Sequence, residues 1–180
     1  MSEASAHTTT PTAAVDQRQR YREVISHFAT GVAVVTGQGT DGPVGMTANA
    51  LCSLSLDPLL LLVCFDNSAR TLPSIRANRR FAVNILREEQ KTLADAFASK
   101  RAKPEQFRNV PWRVHQDVPV LEEALAWLVC DLHELHPGGD HTIGIGTVTD
   151  MDYDTSGHPL VWYQGRYVRL LEPPRPSSGR

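Results

Sequence analysis

The chain has 180 residues with 18 Lys plus Arg against 20 Asp plus Glu, a net charge of −2. That near-neutral balance gives no reason to expect nucleic acid or an anionic membrane as a partner. Its 41% hydrophobic and 21% charged residues are ordinary for one globular domain with a real core, and no apolar run approaches the roughly 20 residues that span a bilayer.

Residues 1–15 are rich in Ser, Thr and Ala, lack the apolar stretch of a signal peptide, and are expected to form a disordered tail. From Asp16 a helical pattern begins. Tyr21, Val24, Ile25 and Phe28 recur at helical spacing with charge opposite, and Gly31 can end it. Val32 to Thr36 is a β-branched strand, and Gln38 to Gly42 a turn.

Val44 to Leu56 then alternates without a miss. Val44, Met46, Ala48, Ala50, Cys52, Leu54 and Leu56 form an apolar set that should seal against a core. Gly45, Thr47, Asn49, Leu51, Ser53 and Ser55 form the other, mostly small and polar set. That face suits either solvent or a ligand, with Gly45 allowing close approach. The run exceeds a typical strand of about 5–6 residues, so a bend or bulge is expected near Ala50 to Ser53.

Asp57-Pro58 breaks the run, and Leu59 to Phe65 reads as a strand buried on both faces. In Asp66 to Pro73, proline is tolerated only in a helix's first turn, so a helix is expected from about Thr71 to Asn78. Ser68, Arg70 and Thr71 then surround a helix N-terminus. They can be N-caps, or with the arginine they can hold an anion.

Phe81 to Leu86 is a strand, Glu88 to Ser99 a helix, and Lys103 to Pro119 irregular. Leu125 to Leu135, Thr142 to Met151, Leu160 to Tyr163 and Tyr167 to Leu171 complete a strand-rich second half, with Gln164-Gly165 as a hairpin turn. Residues 173–180 form a flexible tail, which leaves 16–172 as the domain. The expected fold is mainly β with a few helices, as an antiparallel barrel closed or nearly closed. Strands do not alternate with helices, so a doubly wound sheet is not expected and any dinucleotide must bind by another route.

Cys52, Cys64 and Cys130 show no paired spacing. They read as buried small hydrophobes in a reducing cytoplasm rather than as disulfides or a zinc site. Seven histidines show no metal-ligand spacing. His136 to His141 is a glycine-containing loop that is either a solvated hairpin or a ligand loop. No Ser/His/Asp or Cys/His set stands out. That absence fits hydride transfer between a nicotinamide and a flavin, which needs ring positioning and no protein base.

Several segments in order carry a resemblance. They are F-A-T-G-V-A-V-V-T (Phe28 to Thr36), G-M-T-A-N-A (Gly45 to Ala50), S-L-S-L-D-P (Ser53 to Pro58), F-A-V-N-I-L (Phe81 to Leu86), G-G-D-H (Gly138 to His141) and P-L-V-W-Y-Q-G-R-Y (Pro159 to Tyr167). Over about residues 20–171 the chain resembles the short-chain flavin reductases, the small components of two-component flavin-dependent monooxygenases.

The resemblance implies a flavin-binding split β-barrel, a homodimer, and reduction of FAD or FMN by NADH or NADPH for a separate monooxygenase. It implies a flavin lying along Gly45, Met46, Thr47, Ala48, Asn49 and Ala50. Cys64, Phe65 and Asp66 at the strand end, with Ser68, Arg70 and Thr71 at the helix start, would hold ring edge and phosphate. Ser53 and Asn67 join this cofactor-binding set, Phe97 lies near the flavin, and His141 lies on the nicotinamide side. Many relatives have serine at the position of Ala50. Two competing functions are a flavin carrier without reductase activity and an amine oxidase of the pyridoxamine phosphate oxidase type.

Overall fold

The computed structural model describes residues 11–99 and 106–170, with side chains from residue 16 onward. Helix α1 spans Pro11–Ile25, beginning ahead of Asp16. The rest of the expected N-terminal tail, and residues 173–180, lie outside the described residues.

After α1 come β1 (Thr30–Gly31), β2 (Ala33–Gly39), β3 (Gly42–Ala48), β4 (Leu51–Leu56) and β5 (Leu59–Asp66). Helix α2 (Thr71–Asn78), β6 (Arg80–Ile85), a 3₁₀ turn at Glu88–Gln90 and helix α3 (Lys91–Ala98) follow. The second half holds β7 (Trp112–His115), β8 (Val118–Leu121), β9 (Ala126–Gly138), β10 (His141–Tyr153), β11 (Val161–Tyr163) and β12 (Arg166–Val168).

Seven strands form one antiparallel sheet in the order β3-β2-β6-β9-β10-β5-β4. Its two edge strands, β3 and β4, are consecutive in the chain and joined only through Asn49 and Ala50. The sheet thus curls into a barrel whose seam carries a covalent link instead of a hydrogen-bonded ladder. This is the split form the resemblance implies. β1, β11 and β12 make a small second sheet, and β7 and β8 a separate hairpin.

Alternation on β2 and β6 sorts the core. Ala33, Val35, Phe81 and Val83 point into the barrel with Leu61, Val63 and Phe65. Val34 points out, beneath Ala94 and Phe97 of α3. Leu72 and Ile75 join the inner cluster, so α2 caps one barrel end. The edge-to-face pair Phe65 and Phe81 (5.8 Å, 88°) needs room opposite. Two glycines of β10 supply it. A Cβ at Gly146 would lie 2.6 Å from Phe81 Cζ, and one at Gly144 would collide with the Phe65 ring.

Several sequence expectations are corrected. The apolar set of the alternating run does not seal against one core. Val44 and Ala48 are buried and Met46 half-buried, but Ala50, Cys52, Leu54 and Leu56 are exposed. The chain leaves the sheet at Asn49, so the two halves of the run belong to different edges. The expected bend falls at Asn49–Ala50, and an irregularity in pairing follows between Ser53 and Ser55. β5 buries Leu61, Val63 and Phe65, while Leu60, Leu62 and Cys64 opposite are only half-covered.

Of the cysteines, Cys130 alone is buried, Cys64 is intermediate and Cys52 exposed; all three are free. Burial pushes the Cys130 thiol up to about 12. The apolar face of α1 is also exposed, with Tyr21 at 68% and Val24 at 66%, as is Phe28 just beyond the helix. Within the segment read as irregular, β7 and β8 form a hairpin through Gln116 and Asp117, both at positive φ. Gly37 to Gly42 has the G-x-G-x-x-G spacing of a dinucleotide fingerprint. It is the β2–β3 hairpin, with a strand rather than a helix after it, so it lacks that motif's structural context.

Asn84, fully buried on β6, ties three strands. Its Nδ2 donates to Val34 O (3.0 Å) and Thr36 Oγ1 (3.2 Å), and its Oδ1 accepts from Leu121 N–H (2.8 Å). Asn84→Ala would strand these buried groups, so unfolding in urea should show a loss of about 3 kcal/mol. A loss within the scatter of surface substitutions would mean that water replaces the amide.

Candidate functional site

The strip from Gly45 to Leu51 crosses the seam and lines two clefts. The first, of about 290 Å³, lies between β3 (Gly45, Met46, Thr47), the α2 start (Asp66, Ser68, Arg70, Thr71) and the end of α3 (Phe97). The second, of about 1050 Å³, holds Asn49, Ala50, Leu51, His141 and Trp162, with Tyr21, Ile25 and Phe28 at one side. Thr47 and Asn49 share one face of the sequence pattern. They open into different clefts because the chain turns out of the sheet between them.

In the first cleft the polar strand is braced by α3. Thr47 Oγ1 donates to Ala94 O at 2.6 Å. Gly45 lines this cleft, and its lack of a side chain also makes room for a neighbour. The Phe97 ring fills the notch: a Cβ at Gly45 would lie 2.5 Å from Phe97 Cε1. Phe97 is 2% exposed and packs edge-on to Phe107 at 4.9 Å. It therefore forms part of the cleft wall.

The loop before α2 is set by Asp66, whose Oδ1 accepts from both the N–H and the hydroxyl of Ser68, each at 2.7 Å. Arg70 occupies the N-cap position and no side chain caps the helix, so the N-cap alternative for Ser68 and Thr71 does not hold. The start of α2 carries no side-chain cap; Pro73 has no N–H and Leu72 N–H donates to Ala69 O, so the helix dipole and the exposed Arg70 guanidinium are what favour an anion there.

In the second cleft, Asn49 Nδ2 donates to Thr30 Oγ1 at 3.3 Å, which braces the seam against β1. Cys64 N–H donates to Ala50 O at 2.9 Å and pins the link on its other side. His141 opens β10 after a turn with Gly139 at φ +72°, and its Nδ1 pairs with Asp140 Oδ1 at 2.7 Å. That bond holds the Asp140 carboxyl below its usual range. Trp162, not singled out from the sequence, meets Tyr167 edge-on at 4.8 Å. Tyr167 OH donates to Asp95 Oδ1 at 2.9 Å. Burial, with the Asp95 charge, pushes the Tyr167 hydroxyl up to about 12.

Other candidates fall elsewhere. Phe65 is fully buried in the barrel and Ala48 is nearly so, so their side chains face the core. Cys64 is half-buried, and burial raises its thiol. Ser53 lies exposed on β4 and lines neither cleft. Asn67 directs its groups at the β9–β10 turn. Among the described residues no cluster of three His, Cys, Asp or Glu side chains could hold a metal ion.

A split antiparallel barrel with an exposed arginine beside the start of α2 and a wide cleft walled by Trp162 has room for a flat ligand. Comparison with known proteins gives the family. The flavin reductase like domain matches residues 25–171, and the chain belongs to that family; it is an oxidoreductase, a flavin reductase. A probable flavin reductase from Rhizobium meliloti is 42% identical over 159 residues, 87% of this chain, which spans 50% of that protein. The flavin-dependent monooxygenase reductase subunit HsaB of Mycobacterium tuberculosis is 35% identical over 161 residues, 88% of this chain and 84% of that one. The solved structure of the Streptomyces globisporus NADH:FAD oxidoreductase SgcE6 with NAD and FAD fragments superposes with a TM-score of 0.81. It is 34% identical, covering 97% of this chain and 100% of that one.

Gly45→Ala should displace Phe97 and lower stability by about 1–3 kcal/mol, the range for overpacking a tight contact. Thermal unfolding checks this, and an unchanged midpoint would show that the ring shifts freely.

Proposed function

We propose that this flavin reductase oxidises NADH or NADPH, reduces free FAD or FMN, and releases the reduced flavin to a separate monooxygenase. One observation carries the reading. One segment, Gly45 to Ala50, with Thr47 on a cleft fit for phosphate and Asn49 on a cleft wide enough for stacked rings, joins the two.

The residues present fit a flavin phosphate, with Arg70 and the uncapped start of α2 as its holders. The bound flavin supplies the hydride acceptor; the protein's part is placement. Asn49 and the backbone of Ala50 border the rings, Trp162 walls the cleft, and His141 orients the nicotinamide. No acid–base pair is required. That HsaB is the reductase subunit of a flavin-dependent monooxygenase and SgcE6 an NADH:FAD oxidoreductase supports the monooxygenase partner and the choice of NADH and FAD as first substrates. A carrier would need no nicotinamide-side histidine. An amine oxidase acting on a phosphorylated substrate would need further basic residues in the clefts, where Arg70 and Arg22 are the Lys or Arg side chains among the described residues. We place the enzyme in the cytoplasm, in keeping with three free thiols.

The enzyme should oxidise NADH only when free flavin is added, and a preparation that binds flavin without oxidising NADH or NADPH anaerobically would favour the carrier. Arg70→Ala should weaken FAD and FMN far more than riboflavin, which lacks phosphate, because a guanidinium grips phosphate through paired bonds. Equal losses for all three would remove Arg70 from the phosphate.

We also infer a homodimer. Tyr21, Val24 and Ile25 leave an apolar helix face uncovered, Phe28 beyond the helix is exposed too, and Leu56 on edge strand β4 is 82% exposed. Faces of this kind are covered by association. Light scattering should give twice the 19.9 kDa chain mass, and a single-chain mass at micromolar concentration would refute the dimer.

A further inference from the structure

We propose that Asn67 is a positioning residue that fixes His141 toward the nicotinamide by holding the β9–β10 turn against the flavin-phosphate loop. The proposal rests on the assignment of His141 to the nicotinamide side made above.

Asn67 lies between Asp66 and Ser68, in the loop that leads to Arg70 and α2. Three of its polar groups reach across to one turn. Its backbone N–H donates to Asp140 O at 3.1 Å, and its Nδ2 donates to Gly139 O at 3.2 Å. Its Oδ1 accepts from the Thr142 hydroxyl at 2.7 Å. Thr142 is nearly buried, and its Oγ1 also accepts from Arg76 Nη2 of α2 at 3.3 Å. His141 stands between Asp140 and Thr142, so the residues on both sides of it are held by one side chain and its backbone. With Nδ1 on Asp140, Nε2 is the nitrogen left for a ligand.

The arrangement gives Asn67 a role in this loop through the turn it holds. The turn is an exposed two-residue hairpin with Gly139 at positive φ; strand pairing to Gly138 of β9 and Asp66 of β5 holds the His141 backbone, and Asn67 ties the tip, Gly139 and the His141 partner Asp140, to the loop. Tied to Asn67, the turn moves as one piece with Ser68 and Arg70. The phosphate-binding loop and the nicotinamide-side histidine then share a single frame. An error in ring placement of about 1 Å is enough to slow a transfer that depends on alignment. Asn67 is solvent-exposed, so its loss should register in substrate binding more than in global stability.

The test is steady-state NADH oxidation at saturating free FAD, with FAD affinity measured separately by fluorescence. Asn67→Ala and Thr142→Val should each raise the KM for NADH by about tenfold, the effect of one well-placed hydrogen bond, with FAD affinity unchanged. Thr142→Ser keeps the hydroxyl and should behave as the parent enzyme. In a His141→Ala background, Asn67→Ala should add no further increase, since both act through one group. The proposal fails if Thr142→Ser is as damaging as Thr142→Val, which would mean packing. It fails if Asn67→Ala lowers FAD affinity, which would make Asn67 a direct flavin contact. It fails too if Asn67→Ala acts fully without His141. Should Asn67→Ala not fold, the Thr142 pair decides alone. If His141→Ala leaves the KM for NADH unchanged, the assignment of His141 falls and this proposal with it. If His141→Ala raises the KM but Asn67→Ala does not, only the role of Asn67 falls.

Discussion

The departure of Asn49 and Ala50 from the sheet is the constraint on which the rest depends. A closed ladder between β3 and β4 would satisfy both edges and leave no opening. The chain instead crosses the seam as a covalent link, and neighbouring elements satisfy the interruption. Thr30 takes the Asn49 amide and Cys64 N–H takes the Ala50 carbonyl. The seam is thereby held open at a fixed width, with peptide groups and a polar side chain facing outward. A barrel can build a ligand site in this way without a large internal cavity.

Each side of the seam is then supported by an element from elsewhere in the chain. α3 braces β3 through Thr47 and the Phe97 ring lodged at Gly45. The β11–β12 hairpin is drawn onto α3 by the Tyr167–Asp95 bond, and Lys91 lies 5.6 Å above the Tyr167 ring. Trp162 is thereby set in the wall of the wider cleft. The loop after β5 and the turn before β10 are cross-tied through Asn67 and Thr142. None of these contacts is individually strong. Together they give a rigid frame suited to a reaction that needs alignment and no proton transfer.

Local chemistry made much of this legible in the sequence. Pro73 located the start of α2 at Thr71 because its ring fixes φ and removes an N–H, and Gln164-Gly165 located the last hairpin because glycine reaches the positive φ such a turn needs. The ordered motifs pointed to the family and to the split barrel. What stayed hidden depended on distant partners. The notch at Gly45 looks like access for a ligand; that it also houses Phe97, far along the chain, shows only in the fold. The β7–β8 hairpin turns through Gln116-Asp117, which carries no glycine signal. The alternating run could not reveal that its second half leaves the core, since periodicity reports which residues share a face and not what covers that face. The apolar stripe of α1 was readable as a stripe, but nothing among the described residues covers it.

Hydrogen exchange of backbone amides, read with and without ligands, tests most directly whether the two clefts form one working site. Addition of FMN should protect amides in Thr47 to Leu51 and in Ser68 to Leu72, and addition of NAD⁺ to that complex should protect Gly138 to Thr142. Slowed exchange reports ligand-stabilised local structure. Protection confined to the opposite end of the barrel, around Arg80 and Asp131, would contradict the account.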